Sequence, residues 1–279
     1  MRNAPPTRPG SVTPASPGKP VIDGPARYLY AFTHDLPEGP LADLEGLPGA
    51  RVVVVADGRV AAVVSPCPLG KVRPERQRVA GHHHVLKHLQ DTLGKAILPA
   101  SFGMVADSEE DLRALLRHHT AAIAEGLVRV QGKVEMTVKL RWAPDNVAQA
   151  VLGRDPELRQ LRDQLYSNGQ TPTRDQSLDL GRRFHHALER QRDHYAAYLR
   201  AALSPLLSEL VEEDLRDERD LVHWACLIEN QRRAGFEAAL DRLAEELEDD
   251  LVLELTGPWP PHHFVDLDLD DDHDDDEEE

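Results

Sequence analysis

Aromatic side chains and cysteine are scarce in this chain of 279 residues, and neither a long apolar run nor an excess of basic charge is present. The two cysteines, Cys67 and Cys226, lie too far apart in sequence to form a metal-type pair and are too few for a disulfide framework, so both are read as reduced thiols. Aromatics make up 5% of the residues, which leaves Leu, Val and Ala to build the cores. No stretch approaches the roughly 20 apolar residues that span a bilayer, and no apolar segment follows Met1, so neither a membrane helix nor a secretory signal is expected and the reading is cytoplasmic. The net charge is −17 with a pI near 5.2, which argues against nucleic acid as a main partner. Missing too are G-x-S-x-G, the phosphate-binding G-x-x-x-x-G-K-[ST], G-x-G-x-x-G and H-E-x-x-H, so no cofactor site or catalytic residue is expected.

Histidine is plentiful, at 14. His82, His83 and His84 are consecutive, and His118/His119, His185/His186 and His262/His263 are adjacent pairs. A catalytic zinc needs about three ligands converging on one point, whereas neighbours on a helix diverge by about 100°. A metal-dependent enzyme is therefore the weaker alternative. His83 and His119 fall on apolar faces and are expected to be satisfied core histidines, while Glu109/Glu110 and Glu212/Glu213 are expected at helix ends or on wet faces. Gly94, Gly103 and Gly126 read as turn or packing glycines.

Taken in order, the chain alternates strands and helices without a regular βα period, which predicts an α+β protein of two domains. Residues 1–25 hold seven prolines and are expected to be a disordered arm; residues 26–143 form a first α+β domain. In it, RYLYAFT at 27–33 is a strand, and 36–49 is loop-like. Val52–Val55 and Val60–Val64 flank the Asp57-Gly58 turn of a hairpin. A helix starts near Pro74, carries Val79, His83, Leu86 and Gln90 on one side, and stops at Gly94. Ala96–Leu98 and 102–105 are extended. Ser108 caps a second helix, whose stripe runs through Leu112, Leu115, Leu116, His119, Ile123 and Leu127, with Gly126 near its end. In Val134–Trp142, Glu135, Thr137, Lys139 and Arg141 alternate with apolar residues, which predicts a strand with one dry and one wet face.

Residues 144–265 form the second domain. A modest helix spans 155–165, and a long one runs from Asp175 to about Val211, to be kinked or divided at Pro205. LVHWACLI at 221–228 is apolar throughout and predicts a central strand. Phe236, Leu240, Leu243 and Leu247 mark a helix, and Leu251–Leu255 a last strand.

That strand runs into Gly257-Pro258-Trp259-Pro260-Pro261-His262-His263-Phe264, a stiff segment with two aromatics. One reading is a cap, with Trp259 and Phe264 closing the core. The other is an anchoring surface in which Trp259, Pro260 and Phe264 bind another protein, because aromatics are frequent hot spots and a rigid backbone loses little entropy on binding. Residues 266–279 carry −11 of the net charge and are expected to be a disordered tail, serving solubility or shielding a basic, aggregation-prone partner.

Three segments resemble the gas vesicle protein F and L family: Tyr28–Phe32 with Val60–Ser65, the unit LPASFGMV to GKVEMTVKLRW, and LVLELTGPWPPHHFVDL. Together they reach from Arg27 to Leu267. Where many members of that family place a tyrosine, this chain has His262 or His263, and the Pro-rich arm and acidic tail depart from the common pattern. The resemblance implies a two-domain α+β fold, mixed or antiparallel sheets packed with helices, and a ferredoxin-like arrangement in at least one domain. It implies a non-enzymatic accessory or minor structural protein of gas vesicles that binds the hydrophobic main shell protein and other gas vesicle proteins during nucleation or growth. A permanent minor shell component is the alternative, and no catalytic, cofactor or metal residue is implied.

Overall fold

The run RYLYAFT becomes strand β1 (Ala26–Thr33), an interior strand that is apolar on both sides because both faces of its sheet are covered. The computed structural model describes residues 24–267 apart from 35, 48, 95, 144–146 and 168–170. The expectations for the arm up to residue 23, the tail from residue 268 and the boundary at 143/144 fall on or against residues outside that set.

The first sheet has the order β2-β3-β4-β1-β5, with β6 also on β1, and every pairing is antiparallel. Its strands are β2 (Gly39–Glu45), β3 (Arg51–Asp57), β4 (Val60–Cys67), β5 (Ile97–Pro99) and β6 (Val105–Ala106). The hairpin β3–β4 closes at Asp57↔Val60 around Gly58 at φ 61°, as the Asp-Gly pair predicts. The expected loop at 36–49 is corrected: Gly39–Glu45 is a strand. It lies at the sheet edge, where a proline such as Pro40 can sit without removing a needed ladder donor. A register shift between Leu29 and Ala31 turns Tyr28, Tyr30 and Ala31 to one core and Leu29 and Phe32 to the other.

Helix α1 (Arg76–Leu93) covers the first of these faces and ends on Gly94 in the left-handed region. Its buried stripe is His82, Val85, Leu86 and Leu89, one position away from the Val79–His83 phase read from the sequence. The second helix is two helices, α2 (Glu109–His118) and α3 (Thr120–Val130), broken at His119, where ψ is 13°. Ser108 Oγ accepts from Asp111 N–H at 3.1 Å, the expected cap. Gly126 lies inside α3 and does not end it; an added Cβ would come within 2.9 Å of Leu98 Cδ1, so its role is close packing on β5.

The second sheet has the order β10-β7-β9-β8, also antiparallel: β7 (Lys133–Trp142), β8 (Glu209–Glu212), β9 (Asp220–Glu229) and β10 (Leu251–Trp259). The unbroken apolar run in β9 has a direct cause. Trp224, Cys226 and Ile228 enter one core and Ala225 and Leu227 another, so alternate residues are buried on opposite faces. The core on the first of these faces is completed by α4 (Val147–Arg154), α5 (Pro156–Tyr166), α6 (Arg174–Leu203) and α7 (Arg233–Glu246). Helix α4 was not read from the sequence. Helix α6 ends before Pro205 instead of running to Val211; a 3₁₀ turn (Ser204–Leu206) leads into β8, so Leu210 belongs to a strand.

The layers are therefore α1, first sheet, α2/α3, second sheet, α4–α7. The middle layer joins residues of both sheets, with Phe32, Leu98, Ile123, Leu127, Ala225, Leu227 and Phe264 in one cluster.

Candidate functional site

The segment after β10 crosses this junction. Between Thr256 and Trp259 the pairing with β7 shifts, so that Thr256 faces Thr137 and Trp259 faces Glu135. Gly257 sits there at φ 127°, and an added Cβ would lie 2.9 Å from both Glu135 O and Met136 Sδ; glycine is required on both counts. The Gly257-Pro258 peptide is cis.

The three residues read as a joint contact surface part company here. Pro260 is buried, and Phe264 is 2% exposed in the middle core. Trp259 is 44% exposed, with its Nε1 3.4 Å from Thr256 Oγ1. The chain's other tryptophans, Trp142 and Trp224, are buried. Of these three, Trp259 is the one open to an external contact, while Pro260 and Phe264 are buried.

The backbone at Trp259 and just after it is held by side chains from different layers. From α1, Gln90 Nε2 donates to the Trp259 carbonyl at 3.1 Å. From β7, the Glu135 carboxylate accepts the His263 backbone N–H at 3.0 Å and faces His263 Nδ1 at 2.7 Å. Glu213 Oε1 lies against the other ring nitrogen, close but outside hydrogen-bond alignment. Glu135 was expected on the wet face of its strand and is instead 2% exposed, because the closing segment covers that end of the sheet. Burial pushes its carboxyl above the ordinary range, against the opposing hydrogen bonds from His263.

His83 and His119 are not core residues: His83 is exposed and His119 half-buried at the α2/α3 break. The core histidine is His82, 2% exposed, with Nδ1 2.9 Å from the Tyr28 hydroxyl, which in turn accepts from Gly103 N–H at 3.2 Å. Burial, then the neighbouring His83 and His262, hold His82 down to about 4. His262, its ring centroid 6.1 Å from that of His83, is held at about 4 chiefly by burial as well. Among the described residues no group of three or more His, Cys, Asp or Glu side chains could hold a metal ion, and no helix is long and apolar enough to cross a membrane. Cys67 and Cys226 are buried and unbonded.

Sequence reasoning found the segment but not its fastenings. Gln90 looked like a stripe residue and Glu135 like a solvent-facing one; only the tertiary crossing of the last segment makes them partners. A second signal was available at Gly257, whose position between a strand and a Pro-rich run marks a close backbone approach.

The family model for gas vesicle synthesis protein GvpL/GvpF matches residues 26–266. Gas vesicle protein F of Streptomyces sp. (strain CB03234) is 31% identical over 252 residues, covering 86% of this chain and 99% of that one. Gas vesicle protein F of Haloferax mediterranei is 29% identical, covering 81% and 88%. The crystal structure of GvpF from Anabaena sp. PCC7120 superposes with a TM-score of 0.77 at 22% identity, covering 88% of this chain and 99% of that chain, and so shares this fold. With the family pattern running from the first strand to the segment that carries Trp259 and Phe264, this chain belongs to the gas vesicle synthesis protein GvpL/GvpF family and has a role in gas vesicle formation.

Proposed function

We propose that the protein is a non-enzymatic assembly factor of the cytoplasm that binds the small hydrophobic main shell protein, together with other gas vesicle proteins, during nucleation or growth of the vesicle. The observation that carries this is Trp259: an exposed indole at the end of edge strand β10, on a backbone fastened from two layers, in a chain of this family. A shell subunit with free strand edges and an apolar gas-facing surface aggregates unless held, and a rigid aromatic anchor binds at low entropic cost. The acidic tail adds an electrostatic shield that salt screens. The two sheets with their helices correspond, in this reading, to two domains.

Co-expression with the shell subunit and pull-down tests the proposal. Full-length protein retains the subunit; Trp259→Ala loses most of it. If full-length protein neither captures the subunit nor is needed for vesicles to appear, the assembly-factor reading is wrong. A protein that stays on isolated vesicles through a urea wash is instead a permanent shell component.

A further inference from the structure

We propose that Gln90, and Glu135 acting through His263, are positioning residues that hold Trp259 in its binding orientation. The inference rests on Trp259 being the contact and adds how that contact is set.

Three observations converge on it. First, the fastenings fall at Trp259 and on the chain that leaves it. Gln90 takes its carbonyl, the β7 ladder takes its strand position opposite Glu135, and four residues later the Glu135 carboxylate takes both the backbone and the ring of His263. Second, the arrangement is costly for a mere cap. A carboxylate at 2% exposure is unfavourable to bury, and Phe264 already fills the core below it. An apolar side chain at 135 would close the sheet as well; what the carboxylate adds is a fixed geometry for the backbone leaving Trp259. Third, the indole itself is left outside, with Thr256 Oγ1 at 3.4 Å against its Nε1. A backbone segment that must be ordered on binding costs affinity, and this clamp orders the backbone that carries the indole beforehand.

The charged surroundings are few and come from each packed element. Glu213, following β8, lies against His263; His262 is its neighbour in the closing segment, and His83 on α1 faces His262. Cys226 on β9, its thiol pushed up to about 12 first by burial and then by the Glu135 charge, stays neutral beneath.

The test uses full-length protein and its own fluorescence. Because Trp142 and Trp224 are 0% and 2% exposed, acrylamide quenching and the fast component of anisotropy decay report Trp259. Gln90→Ala, which removes a half-buried surface group and leaves the cores whole, and Glu135→Gln, which keeps the shape, are compared with the parent. Both variants are expected to gain picosecond-to-nanosecond indole motion and to weaken capture of the co-expressed shell subunit roughly tenfold. Placed on Trp259→Ala, neither is expected to weaken capture further. Unchanged indole motion in both variants overturns the inference, as does a loss of capture that is equally large without Trp259. Undiminished capture by Trp259→Ala alone defeats the contact reading instead, and the anisotropy still decides whether the clamp exists.

Discussion

At the scale of single residues, the closing segment depends on two side chains and on the absence of a third. Phe264 is 2% exposed and Trp259 44%, though both are aromatics within six residues of one Pro-rich run. Phe264→Ala is expected to cost about 3–5 kcal/mol, as large-to-small changes in cores do, and Trp259→Ala under about 1 kcal/mol. Urea unfolding of the two variants checks the contrast; equal losses would mean that both aromatics are cap. Gly257→Ala places a Cβ 2.9 Å from Glu135 O at a φ of 127° and is expected to lower stability by at least about 2 kcal/mol at unchanged m-value. The local sequence identified these residues and could not rank them. Burial at 264 and 135 is decided by a layer that crosses more than a hundred positions away, whereas alternation within β7 records only the face of its own sheet. His82 was misplaced by one position for the same reason: histidine fits a polar or an apolar phase equally well, and the Tyr28 hydroxyl that selects it lies on β1.

At the scale of elements, what was legible follows short-range chemistry. The Asp57-Gly58 turn, the Ser108 cap, the Gly94 stop and the doubly buried β9 all form as read, because each is written in contiguous residues. The departures come where two local signals compete. A stripe at helical spacing continues through His119, yet the helix breaks there so that α2 and α3 can both lie on the first sheet. The apolar positions Leu206 and Leu210 extend the pattern of α6, but Pro205 removes a backbone donor and the chain turns into β8. The other end of α6 is fastened by a reciprocal box: Gln176 N–H donates to Thr173 Oγ1 at 3.3 Å, and Gln176 Oε1 accepts Thr173 N–H at 2.9 Å. Most of the first turns of this 30-residue helix stand exposed, so the cap has little packing behind it. Thr173→Ala is expected to cost about 1 kcal/mol or less globally while exchange at the amides of 174–177 quickens markedly, a difference that hydrogen exchange resolves.

At the scale of the whole molecule, the middle layer and the closing segment tie the two sheets together, and the buried His82 and half-buried His262 make that tie sensitive to acid. His82 lies between α1 and the first sheet; His262 lies in the closing segment against α1. In the unfolded chain each ring takes up its proton as pH falls through its ordinary value of 6.5, whereas in the fold both wait until about 4. Their contribution to stability is therefore fully present above pH 6.5, declines between 6.5 and 4, and is gone below. Each unit of separation corresponds to about 1.4 kcal/mol, so His82 alone accounts for about 3 kcal/mol across that window. Glu135 works in the opposite sense: its carboxyl is raised by burial, so the fold prefers it protonated, and acid relieves part of that cost. His223 on β9 is held low as well, chiefly by burial, and with three histidines against one carboxyl, urea midpoints are expected to fall steadily from pH 7 to pH 4. In His82→Leu the slope should be clearly shallower, because only His262 and His223 are then left to charge late. A slope unchanged by that substitution would place the acid sensitivity elsewhere, in the surface ion pairs, and added salt would then flatten it, whereas protonation of buried rings is screened little.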